Sequence, residues 1–324
     1  MNQIYNSFIE NVKKYKKIII MAHRSVDLDG LSSSIGLSFF LKEIGTDAYV
    51  FNPETKDKNI KRAFQILSDH DIDVKLVSKG DLKEFNPENS LLIVIDTHKK
   101  SMLEYPKILE LIPNVIVLDH HIKGPDAIEE PILSYINANM SSMVDLVIQF
   151  YQKENLSIDS SIATIMLAGM SIDTNNFRTK MSAHTYASAS ILLSMGADFS
   201  NVIRLLQEDK DEFILRNKFL KKAYLYKGKY MICALDNKIY TKKFLAQLAD
   251  MMLEFNDVEA SFTIGYVGSK TVGISARSIG EVNVQEIMQL FDGGGHITDA
   301  ACQQEKTTIK KMKTSLEKKL EVII

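Results

Sequence analysis

The chain has 324 residues, 45% of them hydrophobic and 25% charged, with a formal net charge of −2. That length exceeds what a single core usually serves, so two domains are expected, and the near-neutral balance argues against a surface built to grip long nucleic acid. The two cysteines, Cys233 and Cys302, stand far apart, which is neither a disulfide framework nor a thiolate zinc pattern and fits a reducing cytoplasm.

The first 17 residues are amphipathic and lysine-bearing without the apolar core of a signal peptide, and no run of about 18 apolar residues is present to span a membrane. A cytoplasmic enzyme is the expectation. Lys17 to Ala22 reads as a short buried strand and Leu31 to Ile44 as the helix after it, with His23, Asp27 and Asp29 in the connection. A strand at Asp47 to Phe51, a helix at Lys58 to Leu67 and a weak strand at Val74 to Val77 follow. Leu91 to Ile95 and Asn114 to Leu118 are the strongest strand signals, and Ile132 to Tyr135 is a further one.

Alternating helices and continuously apolar strands predict a parallel sheet, whose ligands gather outside the carboxyl ends of its strands. The pattern then turns helical at Ser142 to Gln152, Ser160 to Ile172 and Thr185 to Met195. A charged helical stretch from Phe199 to Lys222 reads as a connector with a solvated face. Beyond it come a strand at Tyr230 to Ala234, a helix at Lys242 to Leu253 and a hairpin turned by Gly268 and Ser269. A helix near Val284 to Leu290, the loop Asp292 to His296 and a terminal amphipathic helix from Thr307 to Val322 complete the chain. The predicted fold class is α/β. A parallel-sheet catalytic domain over 1–198 is joined by a helical connector over 199–223 to a smaller α+β substrate-binding domain over 224–324.

The chemistry is concentrated where the strand Val117-Leu118 stops on Asp119-His120-His121. His23, Asp27 and Asp29 follow an earlier strand, Asp96 follows Leu91 to Ile95, and Asp173 ends a helix. Singly, each has a plain structural role: Asp27 or Asp29 can cap the next helix, and Asp96 can terminate a strand as a turn residue. Jointly they supply more hard oxygen and imidazole donors than one ion uses, which points to two divalent cations. In such sites ions roughly 3.5–4 Å apart share a bridging water of lowered pKa and clamp the entering and leaving oxygens of a phosphoryl displacement. In the second domain Gly293, Gly294 and Gly295 let backbone N–H groups approach an anion. His296 and Arg277 add donors suited to phosphate.

At these residues the chain resembles the DHH phosphoesterase superfamily, in the branch whose DHH domain is joined to a DHH-associated domain ending in a GGGH motif. Over nearly its full length it is similar to the catalytic module of GdpP-type cyclic-di-AMP phosphodiesterases. The runs Ile95-Asp96-Thr97-His98, Leu118 to His121, Ile172-Asp173-Thr174, Val258 to Phe262, Val272 to Ser278 and Gly293 to Thr298 carry the likeness. The resemblance implies a two-manganese phosphodiesterase. One ion would be held by His23, Asp27 and Asp96, and the other by Asp29, Asp96, His120 and Asp173. Asp119 and His121 would then be catalytic residues orienting His120 and the attacking water.

Substrate, a cyclic or short linear dinucleotide, would lie between the domains, its far end held by Arg277 and residues 293–296. The product of cyclic-di-AMP would be pApA, and a homodimer is implied. Ser25-Val26 departs from the Asn-Pro common in the family without removing a ligand, and the sensory and cyclase-like domains and membrane anchor of full GdpP proteins are not found in this sequence, which is equally consistent with a stand-alone cytoplasmic enzyme and with an excised catalytic fragment. A nanoRNase or pAp phosphatase would use the same metals on linear ends. A manganese pyrophosphatase would carry a basic motif in place of GGGH, and a non-catalytic nucleotide-binding module would lack one or more of the ligands.

Overall fold

The computed structural model of the chain describes residues 2–322 apart from 56, 125 and 180. It divides into two compact units, 1–207 and 208–324. The first contains α1 (Asn2–Val12), β1 (Lys17–Met21), α2 (Leu28–Glu43), β2 (Asp47–Phe51), α3 (Lys58–Asp69), β3 (Leu76–Val77), β4 (Ser90–Ile95), α4 (Ile108–Leu111), β5 (Val115–Asp119), β6 (Leu133–Ile136), α5 (Met143–Lys153), α6 (Ser160–Asp173), α7 (Ala183–Ser194) and α8 (Phe199–Leu206).

Its six strands form one sheet in the order β3-β2-β1-β4-β5-β6, every pair parallel. Successive side chains leave opposite faces of a strand, so each apolar run supplies two cores. Ile18, Ile20, Leu91, Ile93 and Ile95 enter the larger core with α1, α2, α3, α5 and α6. Ile19, Met21, Leu92 and Val94 enter a smaller one closed by Leu82, Phe85, Leu103, Ile108 and Ile112. The chain order reverses at β1 and β4, which are neighbours with Met21 beside Val94. Such a switch point opens a crevice at the carboxyl ends of the strands.

Helices α2 and α6 are buried along most of their length, and their closest approach is made by two glycines. A Cβ on Gly169 would stand 2.4 Å from Ser32 Oγ and 2.7 Å from Leu28 O, and one on Gly36 would stand 2.6 Å from Met166 Sδ. This crossing fixes how near Asp29, in the first turn of α2, comes to Asp173, the last residue of α6.

The second unit contains α9 (Lys210–Leu220), β7 (Tyr224–Tyr226), β8 (Tyr230–Ile239), α10 (Lys242–Met252), β9 (Ala260–Gly268), β10 (Thr271–Ser278), α11 (Val284–Gln289), β11 (Gly294–Gly295), β12 (Asp299–Glu305) and α12 (Ile309–Val322). Its sheet runs β11-β12-β10-β9-β8-β7, with β8 and β9 parallel and the other pairs antiparallel. Ile232, Phe262 and Ile274 pack with α11 and α12 on one face, while Cys233 and Leu235 pack with α9 and α10 on the other.

Three expectations change. The stretch 199–223 is not one connector: Val202 and Leu205 of α8 join the first unit's core and Phe219 of α9 joins the second's, so the division falls at 207/208. Asp29 lies inside α2, because Asp27 caps that helix with its carboxylate and starts it three residues earlier than periodicity suggests. Residues 294–295 form a strand on β12, and β12 itself, rich in alanine and glutamine, carries too little apolar pattern to be read. Among the described residues no single helix is long and apolar enough to cross a membrane.

Gly169→Ala is expected to lower stability by about 1–3 kcal/mol through overpacking, despite the helix preference of alanine. A urea denaturation series with the midpoint compared to that of the parent protein checks this.

Candidate metal centre

The residues beyond β1, β4 and β5 meet at the switch point. Asp96, the first residue after β4, has φ 62°, a left-handed conformation uncommon for any residue but glycine, aspartate or asparagine. Its backbone N–H donates to Leu118 O at 2.9 Å, which ties the turn to the neighbouring strand. The carboxylate, 2% exposed, is wedged between two imidazoles: Oδ2 is 3.5 Å from His23 Nε2, and Oδ1 is 3.1 Å from His120 Nε2. Asp27 Oδ2 lies 3.8 Å from His23 Nε2, and its Oδ1 accepts from Gly30 N at 3.1 Å, so the helix cap and the site share one side chain. On the other side Asp173 Oδ2 stands 3.1 Å and Asp29 Oδ2 4.0 Å from His120 Nε2.

Three overlapping sets thus offer donor atoms that lie within 4.8 Å of one another: His23, Asp27, Asp96; Asp29, His120, Asp173; and Asp96, His120, His121. The imidazoles are oriented alike. Nδ1 of His23 meets Arg24 O at 2.9 Å and Nδ1 of His120 meets Met140 O at 3.2 Å. A carbonyl only accepts, so Nδ1 carries the proton in both and Nε2 is presented to the carboxylates, as metal-bound histidines require. Two buried atoms at the centre, Asp96 Oδ1 and His120 Nε2, have no hydrogen-bond partner. Orphaned donors of this kind, aimed at one point with carboxylates around them, fit divalent cations.

Taken by themselves, these groups contend for protons. Burial, with the charges of Asp173 and Asp96 beside it, pushes Asp29 well above the usual carboxylate range. Burial likewise raises Asp173. For His23 burial acts downward, but Asp27 and Asp96 outweigh it and push the imidazole up to about 12. His120 is raised well above its ordinary value by Asp173 and Asp96 against the effect of burial. Asp96 is driven the other way, its burial outweighed by His120 and His23.

Supporting contacts involve residues that the sequence reading passed over. Asp29, fully buried, lies at the N-terminus of α5: its Oδ1 accepts from Ser142 Oγ at 2.5 Å and its Oδ2 from Met143 N at 2.8 Å. A helix N-terminus favours such an anion. Asp119 Oδ1 accepts from His120 N (2.8 Å), His121 N (3.2 Å) and His121 Nδ1 (2.8 Å). Its Oδ2 is closely bonded to Nδ1 of His98, which is 1% exposed. Gly124 N donates to His98 Nε2 at 2.9 Å, so the proton of His98 is on Nδ1 and points at Asp119. Burial opposes ionisation of Asp119, yet the donors from His121 and His98 hold it well below the carboxylate range. The run Asp96-Thr97-His98 contained the signal for His98, but only folding shows that its ring turns toward the end of β5. Gly30 is the other omission: a Cβ there would stand 2.9 Å from both Asp96 Oδ2 and Val26 Cγ2.

In the second unit Arg277 is not a free arm. Its Nε lies 2.9 Å from Asp250 Oδ1 and 3.2 Å from Asp299 Oδ1, and its Nη1 donates to Ala276 O at 2.9 Å, which fixes the guanidinium's direction. The three glycines divide by role. A Cβ on Gly293 would be 2.3 Å from Ala301 O, and one on Gly295, at φ +148°, would be 2.2 Å from Asp299 O; only Gly294 has open space beside it. Two of the three are therefore required by the close approach of β12. His296 N donates to Asp299 O at 2.6 Å, which shapes the same turn.

A parallel sheet ending in buried carboxylates and imidazoles is the class of site that the fold defines. Residues 17–170 match the model of the DHH family, N-terminal domain, and residues 227–322 match the DHHA1 domain. The chain belongs to the DHH family. It is 33% identical over 307 residues to the cyclic-di-AMP phosphodiesterase GdpP of Bacillus subtilis, covering 93% of this chain and 47% of that protein. It is also 24% identical over 308 residues to the probable bifunctional oligoribonuclease and PAP phosphatase NrnA of Streptococcus mutans, covering 90% and 91%. The crystal structure of an exopolyphosphatase-related protein from Bacteroides fragilis superposes with a TM-score of 0.81 at 20% identity over 99% of this chain and 96% of that one. The chain spans about half the length of the GdpP protein it matches.

Two outcomes are expected. Because His23 and His120 hold protons that a cation must displace, Mn2+ binding is expected to release protons near neutral pH and to strengthen as pH rises. Calorimetric titration in two buffers of different ionisation enthalpy measures both. His98→Ala leaves Asp119 Oδ2 buried without its donor and costs about 1–3 kcal/mol. His98→Asn, whose amide reaches the Nδ1 position, loses less, as read from urea denaturation.

Proposed function

We propose that the chain hydrolyses cyclic-di-AMP to pApA, using two divalent cations, with manganese favoured by the mixed carboxylate and imidazole donors. The observation that carries phosphodiester hydrolysis is Asp96, whose two oxygens face two separate donor sets that would each hold a cation. The substrate is suggested by the likeness to GdpP over 93% of the chain. His23, Asp27 and Asp96 would hold one ion, and Asp29, Asp96, His120 and Asp173 the other. When bound, the pair supplies positive charge at the phosphate and acidifies water.

The chain's own residues do the rest. Asp119 takes the Nδ1 proton contact of His121, which leaves Nε2 as the ring atom able to accept a proton from the attacking water. His98 keeps Asp119 turned for that task. In the second unit Arg277, aimed by Asp250 and Asp299, and the turn at Gly294 would offer donors suited to a phosphate. Water would attack phosphorus as it gives a proton to His121 Nε2, the bond to the ribose 3′ oxygen breaks, that oxygen takes up a proton and leaves as the 3′ hydroxyl, and the linear dinucleotide carries the 5′ phosphate.

A second reading, action on short linear oligonucleotides or 3′-phosphoadenosine 5′-phosphate, is favoured by the match to NrnA along 91% of that protein's length. The two share the metal centre and differ in the grip. Purified protein with Mn2+ should convert cyclic-di-AMP to pApA faster than it cleaves pApA or the phosphoadenosine phosphate, as resolved by chromatography. Faster cleavage of the linear compounds selects the second reading. Asp96→Ala should lower either rate by at least about 100-fold, and Asp119→Asn by about 10- to 100-fold.

A further inference from the structure

Directly after Asp173 the backbone does something costly. Asn175, Asn176 and Phe177 have φ of 47°, 55° and 61°, three successive left-handed residues without a glycine. Asparagine tolerates that region, but a phenylalanine there is strained, and strain of this kind persists only where surrounding contacts enforce it. The enforcement is visible. Asn176 N donates to Ser171 O at 2.7 Å, Phe177 N to Thr174 Oγ1 at 3.1 Å, and Arg178 N and Thr179 N to Thr174 O at 2.8 and 2.9 Å.

The turn delivers the Phe177 ring onto Tyr186, with centroids 6.4 Å apart and planes within 23°. Tyr186 follows Thr185, which is fully buried and shares a 2.5 Å hydrogen bond with Ser141. Ser141 precedes Ser142 and Met143, the donors to Asp29. The stacked pair is therefore anchored at one end to the helix bearing Asp173 and at the other to the N-terminus that holds Asp29. Phe177 backs one side of the pair against the core, while Tyr186 is 58% exposed.

We propose that Tyr186, buttressed by Phe177, is a stacking platform for the nucleobase next to the phosphate held at the metal centre. This rests on the reading of the site as one for nucleotide phosphoesters and assigns where one base lies. A phosphate and its base are separated by a single ribose, and these contacts tie the ring to the elements that bear Asp29 and Asp173, within reach of the base of the reacting nucleotide in this proposal. Every base has a π face, which makes such a platform a determinant of nucleotide over simple phosphoester, without selecting the base.

The chain contains no tryptophan, so Tyr186→Trp makes a single indole reporter. Adding pApA or cyclic-di-AMP to the metal-free variant should quench its fluorescence saturably. Tyr186→Ala should raise KM for the nucleotide by about five- to 100-fold while kcat/KM for bis(p-nitrophenyl) phosphate, which has no base, changes less than about twofold. Tyr186→Phe should behave as the parent. An equal fall on both substrates, an unchanged nucleotide KM, or an altered sedimentation coefficient with KM unchanged overturns the proposal.

The parent protein's own substrate preference is scored separately. If it cleaves linear nucleotides and not cyclic-di-AMP, the substrate reading fails, and the same ratios measured on pApA decide the platform. If it cleaves the nitrophenyl ester and no nucleotide, both fall.

Discussion

One buried carboxylate between two imidazoles is the constraint on which the first unit depends. Asp96 is nearly inaccessible to water, and each of its oxygens faces a different histidine nitrogen. Burying that anion is unfavourable unless opposite charge or protons compensate it. Several features keep it there: the left-handed backbone at residue 96, the missing side chain at Gly30, and the switch point that sets β1 beside β4. The α2–α6 crossing, possible because Gly36 and Gly169 admit close packing, then brings Asp29 and Asp173 to the far side of His120.

Around that carboxylate the orienting contacts follow one rule. Each histidine donates its Nδ1–H to a backbone carbonyl or to a carboxylate, and Asp29 is held by donors at the N-terminus of α5. The arrangement fixes ring and carboxylate directions before any cation arrives, which removes much of the reorganisation that binding would otherwise require. The second unit shows the same economy. Arg277 is aimed by two carboxylates, and two of the three glycines in 293–295 exist to let β12 pass.

The sequence by itself determined the alternation of strands and helices, the parallel sheet, and the acids and imidazoles that close its strands, because burial on both faces demands continuous apolar runs and polar residues then stand out where they end. Asp96, Asp119 and His120 were legible for that reason. Three things were decided only by tertiary structure. Asp27 became both cap and site residue, which moved Asp29 into the helix. His98, one polar residue in a motif of four, became the partner of Asp119 because β4 and β5 are neighbours. The glycine run became half strand, because a paired edge is invisible until β12 lies against it. Periodicity records which side of an element is buried; hydrogen-bond partners distant in sequence depend on which elements pack together, and that is set by the whole core at once.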